Sequence, residues 1–211
     1  MDIANIRKDY TLKSLTLNEV ADLPLQQFAQ WLEEAIKAQV NEPNAMNLAT
    51  INAQNQPSSR VVLLKGLDHG LIFFTNYDSR KGRELREHPY AALNFFWPEL
   101  ERQVRIEGQV EMVTEAESDR YFHSRPISSQ IGAWASPQSQ VIPDRTFLET
   151  REREMTQRFQ TEPIARPPHW GGFRVIPQYF EFWQGRASRL HDRIVYERGP
   201  ARQWDKKILA P

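Results

Sequence analysis

RQVRIEGQVEMV, residues 102–113, alternates between apolar and polar side chains. Val104, Ile106, Val110 and Met112 fall on one face of an extended chain, and Gln103, Arg105, Glu107, Gln109 and Glu111 on the other. Period-two alternation marks a strand with one buried face, the pattern of an antiparallel sheet. Before it, AMNLATI (45–51), SSRVVLLKG (58–66), GLIFFTN (70–76) and YAALNFF (90–96) are short and rich in β-branched and aromatic residues. After it, GGFRVIP (171–177), QYFEFWQG (178–185) and DRIVYER (192–198) return to strand character. Turn-forming residues separate most of them, which predicts a chain of short strands.

Helical signals sit between these strands. DLPLQQFAQWLEEAIKAQV (22–40) puts Leu25, Phe28, Ala29, Leu32 and Ile36 on one helical face, with Asp22 and Pro24 as start signals. Ser79 is an N-cap for a short helix to about His88, before Pro89. Thr114 with Glu117 forms a capping box, and Asp144 heads RTFLETREREMTQRFQ (145–160). The whole pattern predicts a mainly β, antiparallel barrel with peripheral helices. TEPIARPPHW (161–170) is Pro-rich but too short to divide the chain. Residues 1–20 therefore read as a flexible N-terminal arm and 21–211 as one domain.

Composition narrows the function. Lys+Arg and Asp+Glu both number 27 in 211 residues, so the net charge is zero. That argues against a nucleic-acid or anionic-membrane binder, which shows a global cationic excess. With no cysteine there is no disulfide, thiolate metal site or cysteine nucleophile. The five histidines lack metal-motif spacing, so no metal is expected. No apolar run approaches the roughly 20 residues that span a bilayer, and MDIANIRKDYTLKS (1–14) lacks a signal-peptide core. The expected location is the cytoplasm.

The cations are instead gathered locally. In NYDSRKGRELREHP (76–89) the first helical turn carries Arg80, Lys81 and Arg83, where the helix dipole disfavours positive charge. A bound phosphate would reverse that balance; a solvated basic face would tolerate it. Arg60 and Lys65 bracket an apolar strand and, with period two, point to opposite faces. Tyr121, Arg125, Ser128, Ser129, Gln138 and Ser139 supply the donors that a phosphate monoester needs, or else form a polar loop. In SRLHDR (188–193) an extended chain would place Arg189, His191 and Arg193 on one face, about 7 Å apart, beside an apolar wall of Phe180, Phe182 and Trp183. A planar, anionic or electron-accepting ring suits that arrangement. The chain has no GxGxxG, Walker A or GxSxG motif.

At these residues the sequence resembles the pyridoxine/pyridoxamine 5′-phosphate oxidase family. FEFWQGRASRLHDR (180–193) is similar to that family's C-terminal signature. RKDY (7–10), RVVLLKG (60–66), TNYDSRKGREL (75–85), ERQVRIEG (101–108), YFHSRPISSQIGAWAS (121–136) and QS (138–139) follow in the family's order. The chain departs from the pattern in a short hairpin, ERGPARQW (197–204), and in ending KKILAP rather than with Arg-Leu-Ala-Pro.

The resemblance implies an FMN-binding split β-barrel, homodimeric, with FMN in a cleft between the subunits. It assigns Arg60, Arg80, Lys81 and Ser139 to the FMN phosphate or its surroundings. Val61, Leu63, Leu64, Phe74, Thr75, Gln103, Gln138, Trp183 and Arg193 would surround the rest of the flavin, and Lys65 would lie close enough to touch it. Lys65, Tyr121, Arg125 and Ser129 would hold the substrate phosphate. Arg189 and His191 would sit over the substrate ring as the catalytic pair, and Arg7 and Tyr10 would close over it. The implied reaction converts pyridoxine 5′-phosphate or pyridoxamine 5′-phosphate to pyridoxal 5′-phosphate by hydride transfer from C4′ to FMN, with O2 as acceptor and H2O2 as product. Two alternatives stand beside it. Another split-barrel flavoprotein would lack the set of Lys65, Tyr121, Arg125, Ser129, Arg189 and His191, and a pyridoxal phosphate carrier would bind no flavin.

Overall fold

The computed structural model describes residues 2–5, 9–199 and 203–211. Nine strands form one sheet in which every pairing is antiparallel: β1 (Ala45–Ile51), β2 (Pro57–Leu63), β3 (Gly66–Leu67), β4 (Leu71–Asn76), β5 (Tyr90–Trp97), β6 (Arg102–Met112), β7 (Trp170–Gln184), β8 (Asp192–Arg198) and β9 (Trp204–Leu209). The order runs β2-β1-β5-β6-β7-β4-β3, with β8 also on β7 and β9 on β8. Among the described residues five α-helices flank it: α1 (Pro24–Lys37), α2 (Arg80–Glu87), α3 (Glu115–Ser124), α4 (Ile127–Ala135) and α5 (Arg145–Arg158). No described helix is long and apolar enough to cross a membrane.

The architecture turns on β7. GGFRVIP and QYFEFWQG form one fifteen-residue strand rather than two. One edge of β7 pairs with β6 along most of its length; the other pairs first with β4 (170–175) and then with β8 (179–184). At the changeover the register against β6 shifts between Glu107 and Gly108, leaving Gln178 unpaired beside Pro177. A proline has no N–H for the ladder, so a bulge is where a strand accommodates it. Gly108 is required opposite, because a Cβ there would lie 2.2 Å from the Ile176 carbonyl oxygen.

Val104, Ile106 and Val110 are buried as the alternation requires, but Met112 at the strand end is exposed. With Phe28, Trp31, Phe73, Phe95, Phe180 and Phe182 they form one hydrophobic core. Helix α1 meets it partly on the expected face, with Phe28 buried and Leu25 and Leu32 packed against the core, but that face is shifted towards Trp31 and Ala35. Gln27, Phe28, Trp31 and Ala35 are buried, whereas Ala29 and Ile36 are exposed. The Trp31 ring packs 5.2 Å from Phe182, and Gln27 Oε1 accepts from the Ala21 amide, so an aromatic and an amide outcompete Ile36. Leu23, not Asp22, is the N-cap; Asp22 accepts from Lys206 Nζ instead. The other three caps form as read, with Ser79, Thr114 and Asp144 each accepting from a backbone amide in the first turn. Segment 9–20 lies along the sheet: the Thr11 and Leu12 amides donate to Glu101 Oε2, the Leu15 amide to Asp192, and Val20 is buried.

Arg174 ties α3 to the sheet. It is nearly buried on β7 and pairs with Asp68, Glu111 and Glu117, the last being the capping-box residue of α3. Removing it strips three carboxylates of their shared guanidinium. Arg174→Met is expected to cost about 2 kcal/mol, below the figure for a fully buried pair because the acids are partly solvated. Urea unfolding measures it; an unchanged midpoint would contradict this role.

Candidate functional site

A cavity of about 460 Å3 opens where β2, β4, α2, α3 and α4 converge. Strand β2 contributes Arg60, Val61 and Leu63, β4 contributes Phe74 and Thr75, and α2 contributes Lys81. Tyr121 from α3, Arg125 between the helices, Ser129 from α4 and Gln138 beyond it complete the wall with Trp170. Lys65 lines the cavity together with Arg60, against the opposite-face expectation. The reason is that β2 ends at Leu63: the Leu64 amide turns to the Asn44 carbonyl and that of Lys65 to Ile72, which breaks the period.

The cations here are weakly compensated. Lys81 Nζ contacts only neutral oxygens, Thr75 Oγ1 and Gln138 Oε1 at 3.1 Å and Ser79 Oγ at 3.5 Å. Burial, reinforced by the charge of Arg60, lowers its pKa to about 8. Among the described residues, Lys65, Lys81 and Arg125 form no ion pair. Arg125 has a buried Nη1 with no hydrogen-bond partner, and burial also lowers its pKa. Only Arg60 has an acid, Glu84 of α2, at 3.3 Å. Burial opposes the ionisation of Glu84, but hydrogen bonds from Thr50, Arg80 and Ser58 and the charge of Arg60 hold its pKa down at about 2. Helix α2 is seated tightly, since a Cβ on Gly82 would lie 2.3 Å from the Tyr77 carbonyl oxygen.

A second cluster forms on the β6-β7-β8 face. Gln103, Trp183 and Arg193 are register neighbours across the three strands. Tyr10 and His191 join them, with ring centroids 5.6 Å (Tyr10–Trp183), 5.8 Å (Tyr10–His191) and 4.6 Å (Trp183–His191) apart. Phe180 and Phe182 do not share this wall; they alternate into the core with no exposed surface. His191 Nδ1 accepts from the Arg186 amide at 3.1 Å, so the neutral ring carries its proton on Nε2. Burial, then the charge of Arg189, lowers the His191 pKa against the opposing pull of Asp192. Arg193 is engaged by Glu181 Oε1 and the Ala210 carbonyl, both at 2.8 Å, so the divergent C-terminal segment reaches this cluster.

SRLHDR is not extended. Ala187–Arg189 forms a 3-10 turn, with Ser188 and Arg189 both left-handed at φ 56° and 60°, and β8 begins only at Asp192. The strand geometry imagined for Arg189, His191 and Arg193 therefore fails at Arg189. Consecutive left-handed non-glycine residues are strained, a feature that concentrates at functional sites.

Several other expected residues lie apart. Leu64 is in the core, Arg80 points to Glu84, and Ser139 (φ 69°) is exposed; none lines the cavity. Arg7 lies outside the described residues. Tyr10, Gln103, Trp183, Arg189, His191 and Arg193 are likewise absent from the cavity wall, so the expected residues fall into separate groups on one chain. Sequence reasoning missed Glu84 and Trp170, since nothing local marks a helix glutamate as the partner of Arg60 or a post-proline tryptophan as a neighbour of Arg125.

Comparison with known proteins agrees on one family. Residues 32–159 match the model for pyridoxamine 5′-phosphate oxidase, and residues 170–211 match the pyridoxine 5′-phosphate oxidase C-terminal dimerisation region. A pyridoxine/pyridoxamine 5′-phosphate oxidase of Ralstonia nicotianae is 58% identical over 210 residues, covering 99% of both chains. One from Methylibium petroleiphilum is 56% identical over 211 residues, covering 100% of this chain and 99% of the relative. Among solved structures, PhzG from Burkholderia lata, in complex with tetrahydrophenazine-1-carboxylic acid, superposes with TM-score 0.88 at 33% identity, covering 95% of this chain and 99% of that one. A pyridoxamine 5′-phosphate oxidase-related, FMN-binding protein from Nostoc punctiforme shares the fold at TM-score 0.72 and 16% identity, covering 91% and 100%. With family models spanning most of its length and relatives above half identity end to end, the chain belongs to the pyridoxamine 5′-phosphate oxidase family.

Proposed function

We propose that this protein is a cytoplasmic FMN-dependent oxidase that converts pyridoxine 5′-phosphate or pyridoxamine 5′-phosphate to pyridoxal 5′-phosphate, working as a homodimer. One observation carries the reading: Lys65, Lys81 and Arg125, with Arg60, line one cavity without a matching set of acids. Such an excess of partly desolvated charge is costly unless anions fill it; Arg60, Lys81 and Arg125 are half-buried and Lys65 is exposed at the rim. Both the cofactor and the substrate bring a phosphate, and the orphaned Arg125 Nη1 fits an incoming phosphate oxygen. Bound FMN would supply the hydride acceptor and the route for electrons to O2, yielding H2O2.

The residues divide the remaining work. Arg60 and Lys81, with Thr75 and Gln138, would hold the cofactor phosphate, while Lys65, Tyr121, Arg125 and Ser129 would anchor that of the substrate. The cluster of Tyr10, Trp183 and His191, with Arg189 in the adjacent turn, would cover the two rings and exclude water. His191, with Nδ1 already accepting from the Arg186 amide, offers Nε2–H as a donor, which favours orienting the substrate ring over taking a proton in this tautomer. Because cavity and cluster are separate in one chain, the reading joins the cavity of one protomer to the cluster of its partner, with FMN between them. The matched dimerisation region supports this, since 170–211 contains Trp183, Arg189, His191 and Arg193.

An absorption spectrum with flavin bands, and aldehyde and peroxide formed from pyridoxine 5′-phosphate, is the basic test; a protein that takes up no flavin would sink the proposal. Lys81→Ala is expected to weaken FMN binding by about 1.5–3 kcal/mol, the range for a hydrogen bond to a charged group. The pH dependence has a definite sign. Bound phosphate favours charged Lys81, so its pKa rises on binding from the ligand-free value of about 8. FMN affinity is therefore full below pH 8 and falls above it. Fluorescence titration checks this, and Lys81→Arg should flatten the alkaline limb; a pH-independent affinity in the native protein would contradict the assignment.

A further inference from the structure

We propose that Trp170 is a positioning residue for the substrate's phosphate: its ring face holds Arg125 in place while leaving that guanidinium uncompensated. The inference rests on the function proposed above and deepens it. The Arg125 guanidinium carbon lies 4.6 Å from the Trp170 ring centroid, and 5.8 Å from that of Phe122. No acid pairs with half-buried Arg125 among the described residues, so aromatic faces hold it where a carboxylate would otherwise be expected. The difference matters chemically. A carboxylate would occupy the in-plane N–H groups and cancel the charge, whereas a ring attracts the cation from above the plane. No carboxylate then competes with a phosphate dianion for the guanidinium donors, and Nη1, shielded from solvent, is a donor that has no acceptor.

The platform is itself fixed. Trp170 is 6% exposed and stands nearly parallel to Phe74 (5.6 Å, 11°) and Tyr121 (6.1 Å, 9°). Its carbonyl oxygen accepts from Arg166 Nη1 at 2.7 Å, and Arg166 pairs with Asp119 of α3 at 2.6 Å. The tryptophan at the start of β7 is thereby locked to the helix that leads into Arg125. Among the described residues, no other cation lining the cavity is both without an acid and carried on a ring face.

The test uses FMN-loaded protein and two ligands that cannot be oxidised at C4′: 4-deoxypyridoxine 5′-phosphate and its phosphate-free parent. Titration calorimetry on Trp170→Leu is expected to show about tenfold weaker binding of the phosphorylated ligand, the scale of a desolvated cation–π contact, with little change for the parent. Trp170→Phe, which keeps a ring face, should fall between the two, and is judged alone if the leucine variant does not fold. In an Arg125→Ala background the tryptophan substitution should add less than about twofold, because coupled neighbours are not additive. Equal weakening of both ligands, unchanged binding, or full additivity with Arg125→Ala would overturn the proposal. If the native holoprotein binds both ligands equally, the assignment of the substrate-phosphate site fails first and this inference falls with it. A native phosphate preference that survives Trp170 replacement sinks only the inference.

Discussion

Arg125→Ala raises the KM for pyridoxine 5′-phosphate by about a hundredfold, with a smaller fall in kcat. Two charge-assisted hydrogen bonds worth about 1.5 kcal/mol each set that scale. The loss lies mainly in KM because the phosphate is remote from C4′, and remote contacts are made in ground state and transition state alike. Some of that binding energy orients C4′ against the flavin, so kcat does not escape entirely. FMN affinity should be nearly unchanged, which separates Arg125 from Lys81 although both line the same cavity. Steady-state kinetics with the flavin spectrum as a control checks the result. An unaltered KM would remove Arg125 from the substrate site and take with it the meaning given to its orphaned Nη1.

Mixing two crippled chains should restore activity. If each site takes Lys65 and Arg125 from one protomer and Arg189 and His191 from its partner, Arg125→Ala and His191→Ala damage opposite halves. A heterodimer of the two then carries one site with both lesions and one with none. Random pairing makes half the dimers heterodimers, so at substrate near the native KM, where both parents are nearly inactive, the mixture regains about a quarter of native activity, as two-fold symmetry dictates. If cavity and ring cluster instead served the same site within one chain, every site in the mixture would carry a lesion, and no mixing ratio would help. Co-expression with two affinity tags isolates the heterodimer and sharpens the contrast. Activity no higher than the sum of the parents would refute the shared site.

What was legible in the sequence was mostly local. Ser79, Thr114 and Asp144 cap their helices because a cap needs only its own first turn. The alternation of β6 survives because a single pleat sorts its side chains. The misreadings share a different cause. The face of α1 turned on Trp31 meeting Phe182, about 150 residues away, which a helical wheel does not contain. Arg60 and Lys65 reach one cavity because the strand stops at Leu63, and strand ends are set by tertiary partners. SRLHDR departs from extension through left-handed backbone at Ser188 and Arg189, neither of them glycine, so composition gave no warning. The likeness of whole motifs reached further than periodicity did. It grouped Lys65, Tyr121, Arg125 and Ser129, and the fold lines one cavity with all four. Glu84 and Trp170 escaped both kinds of reading, because they act through Arg60 and Arg125 and carry no chemistry visible on their own.

The central claim is that this chain places C4′ of a phosphorylated pyridine alcohol or amine against a flavin. It is tested most directly by mixing the FMN-loaded protein with pyridoxine 5′-phosphate in the absence of oxygen and following the flavin absorbance. The oxidised flavin bands should bleach in a single turnover, with one pyridoxal 5′-phosphate formed per flavin, and return when air is admitted. Flavin that stays oxidised in the presence of saturating pyridoxine 5′-phosphate and pyridoxamine 5′-phosphate would contradict it.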